Sequence, residues 1–81
     1  MENKASLQDG MLNEARRERV PLTVFLTNGF QQKGTLLAFD GYTIVLLNDG
    51  KQYIIYKHAI STIIPQRIIY LSKLKESQED L

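Results

Sequence analysis

The chain has 81 residues, no cysteine, a single histidine, and ten basic against nine acidic side chains, for a formal net charge of +1. That length allows one domain with a small core. The missing thiols exclude disulfides and thiolate zinc sites, and so small a net charge does not by itself announce a polyanionic partner. No apolar run approaches the roughly 20 residues of a membrane-spanning helix, so a soluble, non-secreted, cytoplasmic protein is expected.

Charge is unevenly spread along the chain. Glu76, Glu79 and Asp80 fall in the last six residues, which leaves residues 1–75 with ten basic groups against six acidic ones. Within that body, "RRER" at positions 16–19 gathers Arg16, Arg17 and Arg19 around one glutamate. Alone, such a run is ordinarily a solvated helix end.

Ser6 and Asp9 have the spacing of a capping box, with Asp in place of the usual Glu or Gln, and Leu7, Met11, Leu12 and Ala15 recur at near-helical intervals. An amphipathic helix over about 7–18 is predicted, stopped by Pro21. From Leu22 the period becomes two: Leu22, Val24 and Leu26 alternate with Thr23, Phe25 and Thr27 up to the Asn28-Gly29 turn signal. "FQQKGTLLAF" predicts a longer second strand in which Gly34 marks a bulge or bend. Asp40-Gly41, "YTIVLLN", Asp49-Gly50, "KQYIIYK" and "AISTII" continue an antiparallel meander that ends at Pro65.

Five such strands twist too strongly to stay flat. The expected fold is therefore mainly β, with an N-terminal α-helix capping a small, strongly bent, five-stranded antiparallel barrel. The fourth and fifth strands carry "YIIY" and "ISTII", apolar edges without a gatekeeping charge. Pairing of these edges between identical chains is the expected remedy for the small core, and it closes a ring if the rotation closes.

His58 follows Lys57 at the end of the fourth strand. One histidine with scattered carboxylates offers too few ligands for a metal site. A Ser61–His58–Asp40 triad lacks a strained nucleophile elbow or an oxyanion-forming glycine loop around Ser61. No catalysis, metal or cofactor is expected. A lone histidine is more often structural or solvated, but a cation beside a ring with two hydrogen-bonding nitrogens also suits a phosphate and a base edge.

Tyr42, after the Asp40-Gly41 turn, reads either as an ordinary strand residue or as a stacking platform. Phe25 and Phe30 flank the Asn28-Gly29 turn, with Phe25 on the threonine face and a candidate for exposure. Beside Gln31, Gln32 and Lys33 they are either core filling or an aromatic and amide surface for nucleobases. The residues alone also leave open a small-barrel protein-interaction or ribosome-associated module.

"SLQDGMLNEARRERVPLTVFLTNGF" and "YKHAIST", with the "FDGY" turn between them, resemble the bacterial Hfq proteins, a branch of the Sm/LSm family of RNA-binding rings. The likeness covers about residues 6–66. It implies a homohexameric Sm-like ring that serves as an RNA chaperone, binding small regulatory RNAs and mRNAs and promoting their pairing in post-transcriptional regulation. It also implies three RNA sites.

The positions matching the family's proximal, uridine-binding face are Gln8, Asp9, Gly41, Tyr42, Lys57 and His58. Gly41 stands where a glutamine or asparagine is common, and Tyr42 replaces a common phenylalanine. Those matching the distal, adenine-binding face are Phe25, Gly29, Phe30, Gln31, Gln32, Lys33, Ser61 and Thr62; Tyr53 stands where many members carry a glutamine. The basic rim corresponds to Asn13, Arg16, Arg17, Arg19 and Phe39. On this resemblance residues 1–5 form a flexible N-terminus, 6–66 the RNA-binding domain, and 67–81 a short tail whose acidic tip competes with RNA for the rim.

Overall fold

The computed structural model describes residues 7–70. Helix α1 (Leu7–Glu18) leads into β1 (Pro21–Leu26), β2 (Gln31–Phe39), β3 (Thr43–Asn48), β4 (Lys51–Tyr56), a 3-10 turn (Lys57–Ala59) and β5 (Ile60–Pro65). Ser6 of the predicted capping box and the acidic tip lie outside the described residues.

The helix ends before Pro21 can act on it, which corrects the expected stop. Arg19 adopts a left-handed φ of 55°. The Val20 N–H then donates to the Ala15 carbonyl at 3.0 Å and the Arg19 N–H to the Arg16 carbonyl at 3.3 Å, the paired bonds of a Schellman motif. Ala15 and Val20, each 1% exposed, supply its apolar contact. Pro21 instead opens β1.

The sheet runs in the order β4-β3-β2-β1-β5. β1 to β4 form the predicted meander, but β5 does not extend it. The 3-10 turn carries the chain away from β4, and β5 pairs antiparallel with β1. The two apolar strands are thus the two edges of the sheet, with Ile54, Tyr56 and Ile64 exposed on them. Edge backbone groups of this kind are available to a further strand.

Period-two burial holds in the inner strands: Leu22 and Val24 of β1 and Ile44 and Leu46 of β3 are at most 2% exposed. Leu12 and Ala15 dock α1 on this core, joined by Leu36, Ile55 and Ile69. Fully burying a side chain such as Leu12 stabilises by about 1.5–3 kcal/mol. After β5, the Gln66 N–H donates to the Pro21 carbonyl at 2.8 Å and Arg67 reaches the Glu18 carboxylate at 3.7 Å. Core packing therefore continues beyond the last strand.

Gly34 is not at a bulge. The β2–β3 register shifts between Leu36 and Ala38, whereas a Cβ on Gly34 would lie 2.7 Å from the Leu47 carbonyl oxygen. The glycine permits a close backbone crossing where the sheet bends, and Leu37 forms the bulge. A second irregularity falls between Phe25 and Leu26, where β5 contributes Ser61 as the extra residue. Among the described residues, no helix is long and apolar enough to cross a membrane.

Candidate functional site

The chain's histidine belongs to a cluster assembled from α1, the β2–β3 turn and the 3-10 turn. Lys57 donates from Nζ to Asp9 Oδ1 at 3.1 Å, and its Nζ stands 5.3 Å from the centroid of the Phe39 ring. The Lys57 side chain is only 14% exposed. One bond to Asp9 leaves further ammonium hydrogens for another acceptor. The Lys57 backbone N–H donates to the Tyr42 carbonyl at 2.7 Å, joining the two turns.

Tyr42 lies just ahead of β3 rather than in it, and it is 81% exposed. The His58 ring stacks on Tyr56 at a centroid distance of 5.8 Å and an interplanar angle of 29°. Asp9 and Lys57 are thus joined as an ion pair, Tyr42 is linked to them through the Lys57 backbone, and His58 is the next residue in the chain. A cation, an imidazole and an exposed aromatic ring therefore lie on two linked turns.

Asp40 holds the turn that carries Tyr42. Its Oδ1 accepts from the Tyr42 N–H at 2.8 Å, the Thr43 N–H at 2.8 Å and the Thr43 hydroxyl at 2.9 Å. The Tyr42 amide, then the Thr43 amide and hydroxyl, hold its carboxyl below the usual 3.8, and the Lys57 charge acts in the same direction. Reading "DG" as a hairpin signal missed this residue. The signal was an aspartate two positions ahead of a backbone N–H that needs an acceptor.

A second cluster forms across three strands. Phe25 of β1 pairs with Gln31 of β2 on one side and Thr62 of β5 on the other. Val24 points into the core, so these neighbours share the outer face of the sheet. Phe25 is half-buried, less open than its place in the alternation suggested. Phe30 is 71% exposed, at the end of a turn in which its N–H donates to Asn28 Oδ1 at 3.0 Å. Lys33 pairs with Thr23 on the same outer face, whereas Gln32 pairs with the inward-facing Val24 and so lies on the opposite face, which corrects its expected place among the adenine-binding residues; Tyr53 packs against the core.

Gln8, next to Asp9 in the chain, lines an apolar cleft of about 330 Å³ between α1 and β5 that Ser61 and Thr62 also border. Arg16 donates to Asn13 Oδ1 at 2.7 Å, while Arg17 is engaged by Glu14 and Glu18. Exposed pairs of this type are worth about 0–1 kcal/mol and exchange readily for a phosphate. Arg16 and Arg19 face Thr35, Leu37 and Leu47 across a cleft of about 290 Å³. Phe39 lies beneath Lys57.

Residues 7–70 match the family profile described as Hfq protein. The chain belongs to the Hfq family. An RNA-binding protein Hfq from Carboxydothermus hydrogenoformans is 56% identical over 73 residues, spanning 88% of this chain and 86% of the relative. The one from Clostridium acetobutylicum is 47% identical over 81 residues, spanning 98% and 100%. A crystal structure of Hfq described as a pleiotropic translational regulator superposes with a TM-score of 0.69 at 45% identity, covering 72% of this chain and 97% of that one. An Hfq protein from Anabaena sp. gives the same TM-score at 24% identity, covering 75% and 100%, and supports the fold.

Proposed function

We propose that the chain is a cytoplasmic RNA-binding protein that works as a homohexameric ring and promotes pairing between small regulatory RNAs and mRNAs. The observation that carries this reading is the Asp9–Lys57 ion pair on a 3-10 turn that also bears His58 and is hydrogen-bonded to the turn bearing the exposed Tyr42, in a chain whose Hfq relatives are named RNA-binding proteins. Lys57 meets phosphate, Tyr42 stacks, and His58 reads a base edge of uridine-rich RNA. Asp9 and Gln8 complete that site, and Gly41 belongs to the turn that carries Tyr42 without contacting the base. Phe25, Phe30, Gln31, Lys33, Ser61 and Thr62, around the Gly29 turn, take adenine-rich RNA on the other face.

Ring closure follows from the two apolar edges. β4 of one copy adds to β5 of the next, covering Ile54 and Tyr56 at the edge, and the cluster then recurs around a pore. Multiplicity supplies the positive field that a net charge of +1 on one chain does not. Asn13, Arg16, Arg17 and Arg19 mark the rim, where arginines screen phosphate repulsion while strands exchange, and Phe39, expected there, supports Lys57 instead. The mechanism involves binding alone, with no bond made or broken.

Binding of labelled oligo-uridine and oligo-adenine to the full chain tests the reading. His58→Ala is expected to weaken oligo-uridine about tenfold and leave oligo-adenine unchanged, and Phe30→Ala to do the reverse, since stacking and base contacts are each worth about 1–3 kcal/mol. Equal loss of both ligands in both variants overturns the assignment of two faces. Solution mass near six times 9.3 kDa is expected; a monomer favours a protein-interaction module instead. Arg16→Ala with Arg17→Ala is expected to slow annealing of complementary strands more than it lowers affinity, and unchanged annealing removes the rim from the mechanism.

A further inference from the structure

We propose that Asp40 is the positioning residue of the uridine-binding cluster: its carboxylate fixes the Gly41–Tyr42 turn so that the Tyr42 ring is held ready to stack. The inference rests on the reading of Tyr42, Lys57 and His58 as a uridine site, and it adds a residue that contacts no RNA.

Three observations carry it. First, a single exposed carboxylate oxygen collects three short hydrogen bonds, all from Tyr42 and Thr43, and the Asp40 N–H donates back to the Thr43 carbonyl at 3.0 Å. An exposed aspartate with free rotamers does not converge on three donors unless the turn is built around it. Second, Gly41 does not impose the turn: its φ is not left-handed, and nothing lies within 4 Å of where its Cβ would be. The Tyr42 ring, at 81% exposure, has little packing of its own to fix it. What determines its place is its backbone, held by Asp40 on the N–H and by Lys57 on the carbonyl.

Third, the charge is of the wrong sign for the ligand. A carboxylate two residues from a stacking platform, and close enough to feel the Lys57 charge, repels an incoming phosphate chain. Its value there is as a hydrogen-bond acceptor of fixed geometry. An amide oxygen at the same position supplies the same acceptor without the charge.

The test compares oligo-uridine and oligo-adenine binding by the full-length chain and its variants Asp40→Ala, Asp40→Asn, Tyr42→Ala and the Asp40→Ala/Tyr42→Ala double substitution. Asp40→Ala is expected to weaken oligo-uridine about tenfold, within the range of one lost stacked base, with oligo-adenine unchanged. Asp40→Asn is expected to bind oligo-uridine as tightly as the parent chain or more tightly. The double variant is expected to be no weaker than Tyr42→Ala, because positioning a ring that is absent has no effect.

Each of the following overturns the inference: Asp40→Ala binding like the parent chain, Asp40→Asn as weak as Asp40→Ala, losses that multiply in the double variant, or equal loss of oligo-adenine. If Asp40→Ala does not fold, Thr43→Val removes only the hydroxyl bond and is expected to weaken oligo-uridine alone, by about threefold; no change there overturns the inference as well. A parent chain that fails to bind oligo-uridine, or a Tyr42→Ala that binds it normally, overturns the uridine site itself. A weakened Tyr42→Ala with an unaffected Asp40→Ala removes only the positioning role.

Discussion

Asp40-Gly41 and Asp49-Gly50 are the same dipeptide, nine residues apart, and each joins two antiparallel strands. They work by different physics. At Asp49-Gly50 both residues are left-handed, with φ of 55° and 76°, the backbone of a two-residue primed hairpin whose twist matches that of β3 and β4. At Asp40-Gly41 neither residue has positive φ, and the turn is organised by hydrogen bonds to the Asp40 side chain. The Asp49-Gly50 turn is a conformational device, set by what glycine can adopt. The Asp40-Gly41 turn is a side-chain device that carries an exposed tyrosine, and it sits in the candidate site.

Substitutions can separate the two. The largest stability change is expected for Gly50→Ala, which forces an L-residue to φ 76° and destabilises by about 1 kcal/mol. That corresponds to a melting temperature lower by about 4–8 °C at fixed protein concentration. Binding of both oligonucleotides is expected to remain unchanged, because the β3–β4 turn belongs to neither cluster. A melting temperature equal to that of the parent chain removes the conformational half of the comparison.

Arg19→Gly probes a left-handed position filled by a side chain with no local hydrogen bond of the kind Asp can make. Glycine relieves the left-handed cost at the Schellman turn and adds freedom to the unfolded chain, for a net gain of about 0.5 kcal/mol. Melting about 2–4 °C higher is expected, together with slower annealing of complementary RNA, because the guanidinium facing the Leu37–Leu47 cleft is gone. A variant that is both more stable and equally fast in annealing shows that Arg19 occupies the turn without a rim function.

What was legible in the chain follows this division. The meander and the edge strands were readable, because alternation and the lack of charge along "YIIY" and "ISTII" are local properties. The docking of β5 on β1 was not, since the 3-10 turn at Lys57–Ala59 has no Gly or Pro to announce a change of direction. The Schellman end of α1 was hidden by an arginine where glycine is usual. Ile69 was missed because one inward residue in Ile68-Ile69-Tyr70 makes no period.

The candidate site divides in the same way. Phe25, Gln31 and Thr62 become neighbours through strand register, so a correct β1–β2 hairpin already implied half of that row. The Asp9–Lys57 pair spans 48 positions, and no local pattern could join them. Their grouping came from the family resemblance. Asp40 escaped because its dipeptide matched a backbone motif that its side chain makes unnecessary.

The smallest effect is the most discriminating. Gly41→Ala places a methyl group where nothing lies within 4 Å, at a residue without positive φ, so stability is expected to change by less than about 0.5 kcal/mol. Oligo-uridine affinity is expected to stay within about twofold of the parent chain, since the Asp40 acceptor and the Tyr42 N–H are untouched. If Gly41→Ala instead lowers the melting temperature as far as Gly50→Ala, glycine shapes both turns and the three bonds to Asp40 are incidental. If it leaves the melting temperature alone while Asp40→Ala selectively loses oligo-uridine, the side chain of Asp40 is what distinguishes the two turns, and the glycine beside it is free to vary.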